Sequence, residues 1–181
     1  GATTGTGSTL NGVVFNLGTT TVTWSATDEE GNEITCFFDV LVEDTQDPSF
    51  VLCGAVVNQS VAVDAGSCTY IHKGEGWDAT ADDNCTVSTI EFVLTGATSG
   101  NGTSLDGVSF SLGTTTVTWT VTDAAGNTEE CSFTVTVNDT ELPIIDCLLA
   151  NPEVVVDAGE CTFTQTTDAW DPSIFDNCSV A

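Results

Sequence analysis

The chain repeats itself over a domain-sized interval, and this constrains its fold more than any other feature. GTTTVTWSATDEEGNEITCFFDVLVEDTQDP runs from Gly18 to Pro48, and GTTTVTWTVTDAAGNTEECSFTVTVNDTELP from Gly113 to Pro143. Trp24 and Trp119, Gly31 and Gly126, Cys36 and Cys131, and Pro48 and Pro143 each stand 95 residues apart. So long a period, dense in strand pattern, predicts successive domain-sized units and not a single enzyme core. A chain of 181 residues has room for about two such domains.

Within the copies, hydrophobic and polar residues alternate with period two, the mark of half-buried strands. Val117, Trp119 and Val121 share one face of a strand whose other face carries threonines. Cys131, Phe133, Val135 and Val137 do the same, opposite Ser132, Thr134 and Thr136. Asp123-Ala-Ala-Gly126-Asn127 joins the two with the residues of a tight hairpin turn, and Asp28-Glu-Glu-Gly31-Asn32 repeats it. No stretch carries a helical period. The predicted class is all-β: tandem antiparallel sandwiches.

The rest of the unit also occurs twice. SVAVDAGSCTY over Ser60–Tyr70 matches EVVVDAGECTF over Glu153–Phe163, and WDATADDNC over Trp77–Cys85 matches WDPSIFDNC over Trp170–Cys178. One whole unit is therefore expected over residues 48–142. The back half of a preceding unit spans 1–47, and the front half of a following one spans 143–181. The Pro-ended junctions Glu43–Pro48 and Asn138–Pro143 are short, which favours a stiff string of domains. The chain holds no methionine, so Gly1 is expected to arise by processing or to lie within a longer chain.

Charge excludes some function classes. There are 27 acidic residues against a single basic one, Lys73, giving a net charge of −26. Such a surface repels nucleic acid and anionic membranes. It suits divalent cations, or colloidal repulsion on an exposed extracellular surface. No apolar run is long enough to span a bilayer, so no direct membrane insertion is expected. Eight cysteines at matching places in the copies point to an oxidising compartment and structural disulfides. Zinc fits less well, because no CxxC pair exists and the only histidine, His72, lies outside the repeated pattern.

The ladder GTTTVTWTVTDAAGNTEECSFTVTVNDTELP, preceded by an Asp-Asn-Cys element, resembles the hyalin repeat (HYR) domain. The resemblance covers nearly the whole chain. It implies immunoglobulin-like sandwiches in tandem, an extracellular or cell-surface location, a role in adhesion and no catalytic residues.

The cysteines of the full unit, Cys53, Cys68, Cys85 and Cys131, allow three connectivities. Cys68 and Cys85 bracket the tryptophan loop, as do Cys161 and Cys178, so local pairs Cys68–Cys85 and Cys161–Cys178 are expected. Cys53–Cys131 is then the bridge that the resemblance implies from family members carrying two cysteines. Cys36 and Cys147 would bond to neighbouring units. Two arrangements supply those units: one continuous tandem chain, or copies completing one another head to tail in the manner of donor-strand exchange. Literal end-to-end joining would lack a counterpart of the strand-like run Thr86–Thr95, because only three residues follow Cys178. Ser132 and Thr136 become Phe37 and Leu41 in the first copy. This places two large apolar side chains on the outer face, a candidate assembly surface.

Calcium is the one cofactor the residues suggest. Glu43, Asp44 and Asp47 at one junction, and Asn138, Asp139 and Glu141 at the other, could meet loops carrying Asp82, Asp83 and Asp176. The junctions are loosely similar to the calcium-binding linkers of cadherins. The candidate ligands are Asp44, Asp83, Asp139, Glu141 and Asp176, against the plainer reading of solvated acidic loops. Sequons at Asn58, Asn101 and Asn138 are glycosylation candidates, and further sequons begin at Asn84 and Asn177. His72 reads as a loop histidine without a nucleophile motif. Trp77 and Trp170 could stack on sugars, though sandwich tryptophans more often pack beside a disulfide. The expected function is a structural or adhesive segment of a surface fibre, filament or stalk, with other copies of the repeat as partners. The competing class is a carbohydrate- or ligand-binding module of a large adhesin or enzyme, with surface glycans as partners.

Overall fold

The computed structural model describes residues 1–55, 57–147 and 153–179. The strands are β1 (Gly18–Thr27), β2 (Glu33–Val42), β3 (Ser49–Leu52), β4 (Gln59–Ala62), β5 (Thr69–Ile71), β6 (Thr80–Asp82) and β7 (Val87–Gly96). They continue as β8 (Gly100–Gly102), β9 (Ser109–Ser111), β10 (Gly113–Asp123), β11 (Thr128–Asn138), β12 (Ile144–Asp146) and β13 (Ser173–Phe175). Among the described residues a single 3-10 turn, Asp168–Trp170, interrupts an all-β fold of immunoglobulin-like sandwich character. Among the described residues no helix is long and apolar enough to cross a membrane.

The largest sheet has the order β4-β11-β10-β7-β8, and smaller sheets pair β1 with β2, β3 with β6, β5 with β9, and β12 with β13. β4 runs parallel to β11, with Val135 opposite Gln59 and Val137 opposite Val61. The pairs β1–β2, β5–β9, β7–β8 and β12–β13 are antiparallel. By internal contacts the chain forms two compact units. One holds Gly1–Val51, Thr80–Ile90 and Thr120–Glu130; the other holds Leu52–Ala79, Glu91–Trp119 and Cys131–Ala181.

In the second unit the alternation becomes a core. Val117, Trp119, Phe133, Val135, Val137, Phe92, Leu94, Leu105 and Phe110 are buried. Trp119 meets the edge of Phe92 at 5.2 Å between centroids, and Trp77 meets Phe110 at 6.0 Å and Phe133 at 6.2 Å, each edge-on. Edge-to-face aromatic packing adds about 1 kcal/mol per pair to what area burial supplies. Gly54 admits Trp77, Trp119 and Phe133 to the same spot. A Cβ there would collide with the Trp77 carbonyl and both rings, and its φ of +57° favours glycine independently. Cys53 beside it is bonded to Cys131, tying β11 to the segment after β3.

The first unit contains the β1–β2 hairpin, paired in full from Gly18 opposite Val42 to Thr27 opposite Glu33. The same sequence gives the same local structure as in the later copy. Thr3 donates its backbone N–H to the Thr20 hydroxyl at 3.1 Å, and Thr98 does so to Thr115 at 3.0 Å. Burial differs. Phe38 and Ile34 are exposed and Trp24 only half-buried, although Phe133 and Trp119 occupy the positions equivalent to Phe38 and Trp24 and are buried. An open groove of about 580 Å³ runs beside β1, lined in part by Leu10, Val13, Phe15, Val22 and Trp24.

The local disulfides expected from spacing are not formed. Cys68 is bonded to Cys178, and Cys85 and Cys161 are exposed free thiols. The tryptophan loops are not self-contained. Instead the Asp-Ala-Gly-x-Cys loop of one copy lies against the Asp-Asn-Cys loop of the next.

Candidate functional site at the repeat junctions

The acidic residues singled out in the sequence fall into two equivalent groups, each within one compact unit. Asp44, Asp83 and the Cys85 thiol converge within 4.8 Å, as do Asp139, Asp176 and the Cys178 sulfur. Short turns set both groups. The Asp83 carboxylate accepts the backbone N–H groups of Cys85 and Thr86 at 2.7 and 3.0 Å. The Asp176 carboxylate accepts those of Cys178 and Ser179 at 2.9 and 3.1 Å. Each is the side-chain-to-backbone turn that an Asp-Asn-Cys sequence favours.

Glu141, counted with these ligands in the sequence, does something else. It accepts the backbone N–H of Gly66 at 2.9 Å, holding the Asp-Ala-Gly loop against the junction. Asn177 donates to the Ser67 carbonyl at 2.8 Å and brings the Asp-Asn-Cys loop to the same place. Around Cys178, then, three connections converge: a bond to Cys68, the Asn177 clasp and the Glu141 clasp. Sequence reasoning missed both clasps. The recurrence of Asn before both loop cysteines, Asn84 and Asn177, was the available signal.

The clusters are candidate cation sites with a partial set of ligands. Calcium takes roughly six to eight oxygen ligands, whereas each cluster offers two carboxylates already engaged in turns, plus one sulfur. A hydrogen bond to Asp44, then burial and the charges of Asp44, Asp83 and Asp123, hold the Cys85 thiol above its usual pKa.

The hairpin turn in the first unit is anchored on Asp123, which is buried. Its carboxylate accepts the N–H groups of Ala125, Gly126 and Asn127 at 2.8, 2.6 and 2.8 Å. Burial opposes its ionisation most strongly, yet the bonds from Asn127, Gly126 and Ala125 together keep its pKa below the ordinary carboxylate value. Asn127 also donates to the carbonyls of Asp44 and Gln46 at 3.4 and 3.2 Å, fixing the junction segment between β2 and β3.

His72 lies in the loop after β5, as the sequence reading has it, and is buried there, stacked on Trp77 at 3.8 Å with the rings 7° from parallel. Desolvation lowers its pKa against the opposing pull of Gly74, Asp78 and Asp106. Trp77 is thereby committed to the core, while Trp170 is exposed and packs on Phe163 at 5.5 Å. Among the glycosylation candidates, the Asn58 side chain accepts the Thr134 N–H at 3.0 Å. Asn138 donates to the Ser60 hydroxyl at 3.0 Å, and Asn101 is exposed on β8. Phe37 and Leu41 stand exposed on the face of β2 away from Trp24.

A profile of the HYR domain matches residues 3–42 and again 43–137. The chain belongs to the hyalin repeat family. It is 36% identical over 140 residues to hyalin of Strongylocentrotus purpuratus, covering 74% of this chain and 10% of that protein. It is 32% identical over 141 residues to hyalin of Lytechinus variegatus, covering 76% of this chain and 24% of that protein. The chain thus spans a tenth to a quarter of the length of these relatives. The second HYR match contains the Trp119 core, the Cys53–Cys131 bridge and the Asp123 turn; the first contains the β1–β2 hairpin.

Proposed function

We propose that the chain is a structural and adhesive segment of an extracellular or cell-surface fibre, filament or stalk, without catalytic activity, in which HYR copies adjoin head to tail. One observation carries the reading: the apolar face of the β1–β2 hairpin is uncovered beside an open groove. Leu10, Phe15, Val22 and Trp24 line that groove. Their counterparts Leu105, Phe110, Val117 and Trp119 are wholly buried in the full copy. Part of what covers those counterparts is the segment carrying Trp77, which packs on Phe110. The fitting occupant of the groove is therefore the front half of a preceding HYR copy. Residues 153–179 are a sample of such a half, and they present Phe163, Trp170 and Phe175 to solvent. The acidic surface keeps such an array soluble along its sides while its ends associate.

The test is assembly of the purified chain with its free thiols alkylated and its two bridges intact, followed by light scattering and negative-stain imaging. Periodic fibres are expected. Trp170→Ser and Phe15→Ser should each shorten them, and a chain that remains monomeric at high concentration refutes completion between separate chains. Binding of isolated monomers to a glycan array would favour the carbohydrate-binding class instead.

A further inference from the structure

We propose that disulfides form a ladder along the array, the Asp-Ala-Gly-x-Cys thiol of each HYR copy bonding the Asp-Asn-Cys thiol of the copy that follows. The proposal rests on the head-to-tail reading for its propagation, and on one bond for its register. Cys68 belongs to the full copy and Cys178 to the following one, and the two are joined. The surrounding contacts belong to the same joint: Asn177 on the Ser67 carbonyl and Glu141 on the Gly66 N–H.

The joint is half-built a second time. Cys85 is the counterpart of Cys178, and it lies beside Asp44 and Asp83 as Cys178 lies beside Asp139 and Asp176. The backbone turn is the same, with Asp83 in the role of Asp176. Only the Asp-Ala-Gly-x-Cys loop of a preceding copy is missing. At the other end Cys161 is the counterpart of Cys68 and is exposed and free. Cys85 is thus the receiving end of a rung and Cys161 the sending end. The remaining free thiols, Cys36 and Cys147, are the counterparts of Cys131 and Cys53, which bridge within a copy. All four free cysteines therefore fall into two complementary pairs, Cys147 with Cys36 and Cys161 with Cys85.

Rung formation removes one proton from each thiol. The two electrons pass to a disulfide oxidant of the export compartment, which leaves as a dithiol while the new S–S bond forms. Such a rung spans the Asn138–Pro143 junction, so neighbouring copies stay joined even where the peptide linker is cut or stretched.

Disulfide mapping of the full chain, oxidised with glutathione disulfide and digested with an acid-specific protease, tests the register. A Cys68–Cys178 peptide within one chain is expected, with Cys85–Cys161 peptides between chains in the assembled material. Cys68–Cys85 or Cys161–Cys178 peptides, or assembled material in which Cys85 and Cys161 stay reduced, would overturn the ladder. Counting alkylated thiols in the unassembled chain gives a second readout. Under the ladder, Cys85→Ser lowers the count from four to three, because Cys68 stays blocked. Under local pairing the same substitution raises it from two to three by releasing Cys68. Cys85 is exposed, so the variant should fold. Assembly of the chain with its free thiols alkylated separates the two proposals. A chain that assembles but maps as Cys68–Cys85 sinks the ladder alone, and one that stays monomeric with Cys68–Cys178 intact sinks completion between separate chains alone.

Discussion

The hairpins β1–β2 and β10–β11 are built from nearly the same sequence and have opposite fates. Both twist around the same Asp-x-x-Gly-Asn turn and repeat the same threonine hydrogen bond. Yet Trp119 and Phe133 are buried, while Trp24 is half-exposed and Phe38 exposed. Local sequence therefore decides strand, turn and register, and it leaves burial to whatever covers the apolar face. The contrast separates what a segment forms alone from what it needs a neighbour to complete.

The strongest way to break this comparison is to truncate the two tryptophans. Trp119→Ala should cost about 4 kcal/mol, the range for a large aromatic removed from a packed core, and Trp24→Ala under about 1 kcal/mol in the unassembled chain. Equal losses by urea unfolding would mean that the β1–β2 face is covered after all. Cysteines draw the same line. On the chain-entropy model, Cys131→Ser should remove about 4 kcal/mol by opening its long loop, whereas Cys36→Ser should leave the denaturation midpoint nearly unchanged.

Acid sharpens the comparison further. The folded pKa of Asp28 and Asp123 lies below the ordinary value of 3.8. Their stabilising contribution is therefore present above that pH and is lost as pH falls from it through the folded pKa. Asp28→Ala should lower stability at neutral pH, and flatten its fall in acid, less than Asp123→Ala, because of the two only Asp123 is buried. His72 acts higher on the scale. Its folded pKa is below 6.5, so the unfolded chain takes up the proton first and stability declines as pH drops from 6.5 through that pKa. His72→Gln, the residue at the matching region of the following copy (Gln165), should flatten that slope in thermal melts from pH 7 to 5. The smallest effect belongs to Phe37→Ser with Leu41→Thr, expected within about 0.5 kcal/mol of the parent. Fibre length is the readout that would show these two side chains working in assembly.

The sandwich strands and their turns were legible because alternation and Asp-x-x-Gly-Asn act locally. The Trp119 position and the Cys53 and Cys131 pair were legible because they recur as landmarks of a familiar domain. The Cys68–Cys178 bond was not. Its partners lie 110 residues apart and in different copies, so no spacing within one copy reports it, and the 17-residue interval offered a plausible substitute. His72 was hidden for a related reason. A polar letter in a turn-rich stretch says nothing about Trp77, five residues on, folding back to stack on it. The acidic clusters show a third limit: charge density is visible in a sequence, but which carboxylates converge, Asp44 with Asp83 and Asp139 with Asp176, is not.

The two bridges also decide how the chain meets proteases. Enzymes that cut after basic residues find one site, the exposed Lys73. Cys53–Cys131 and Cys68–Cys178 both span that site. A cut there leaves two fragments tied at two points, so the molecule is nicked without coming apart.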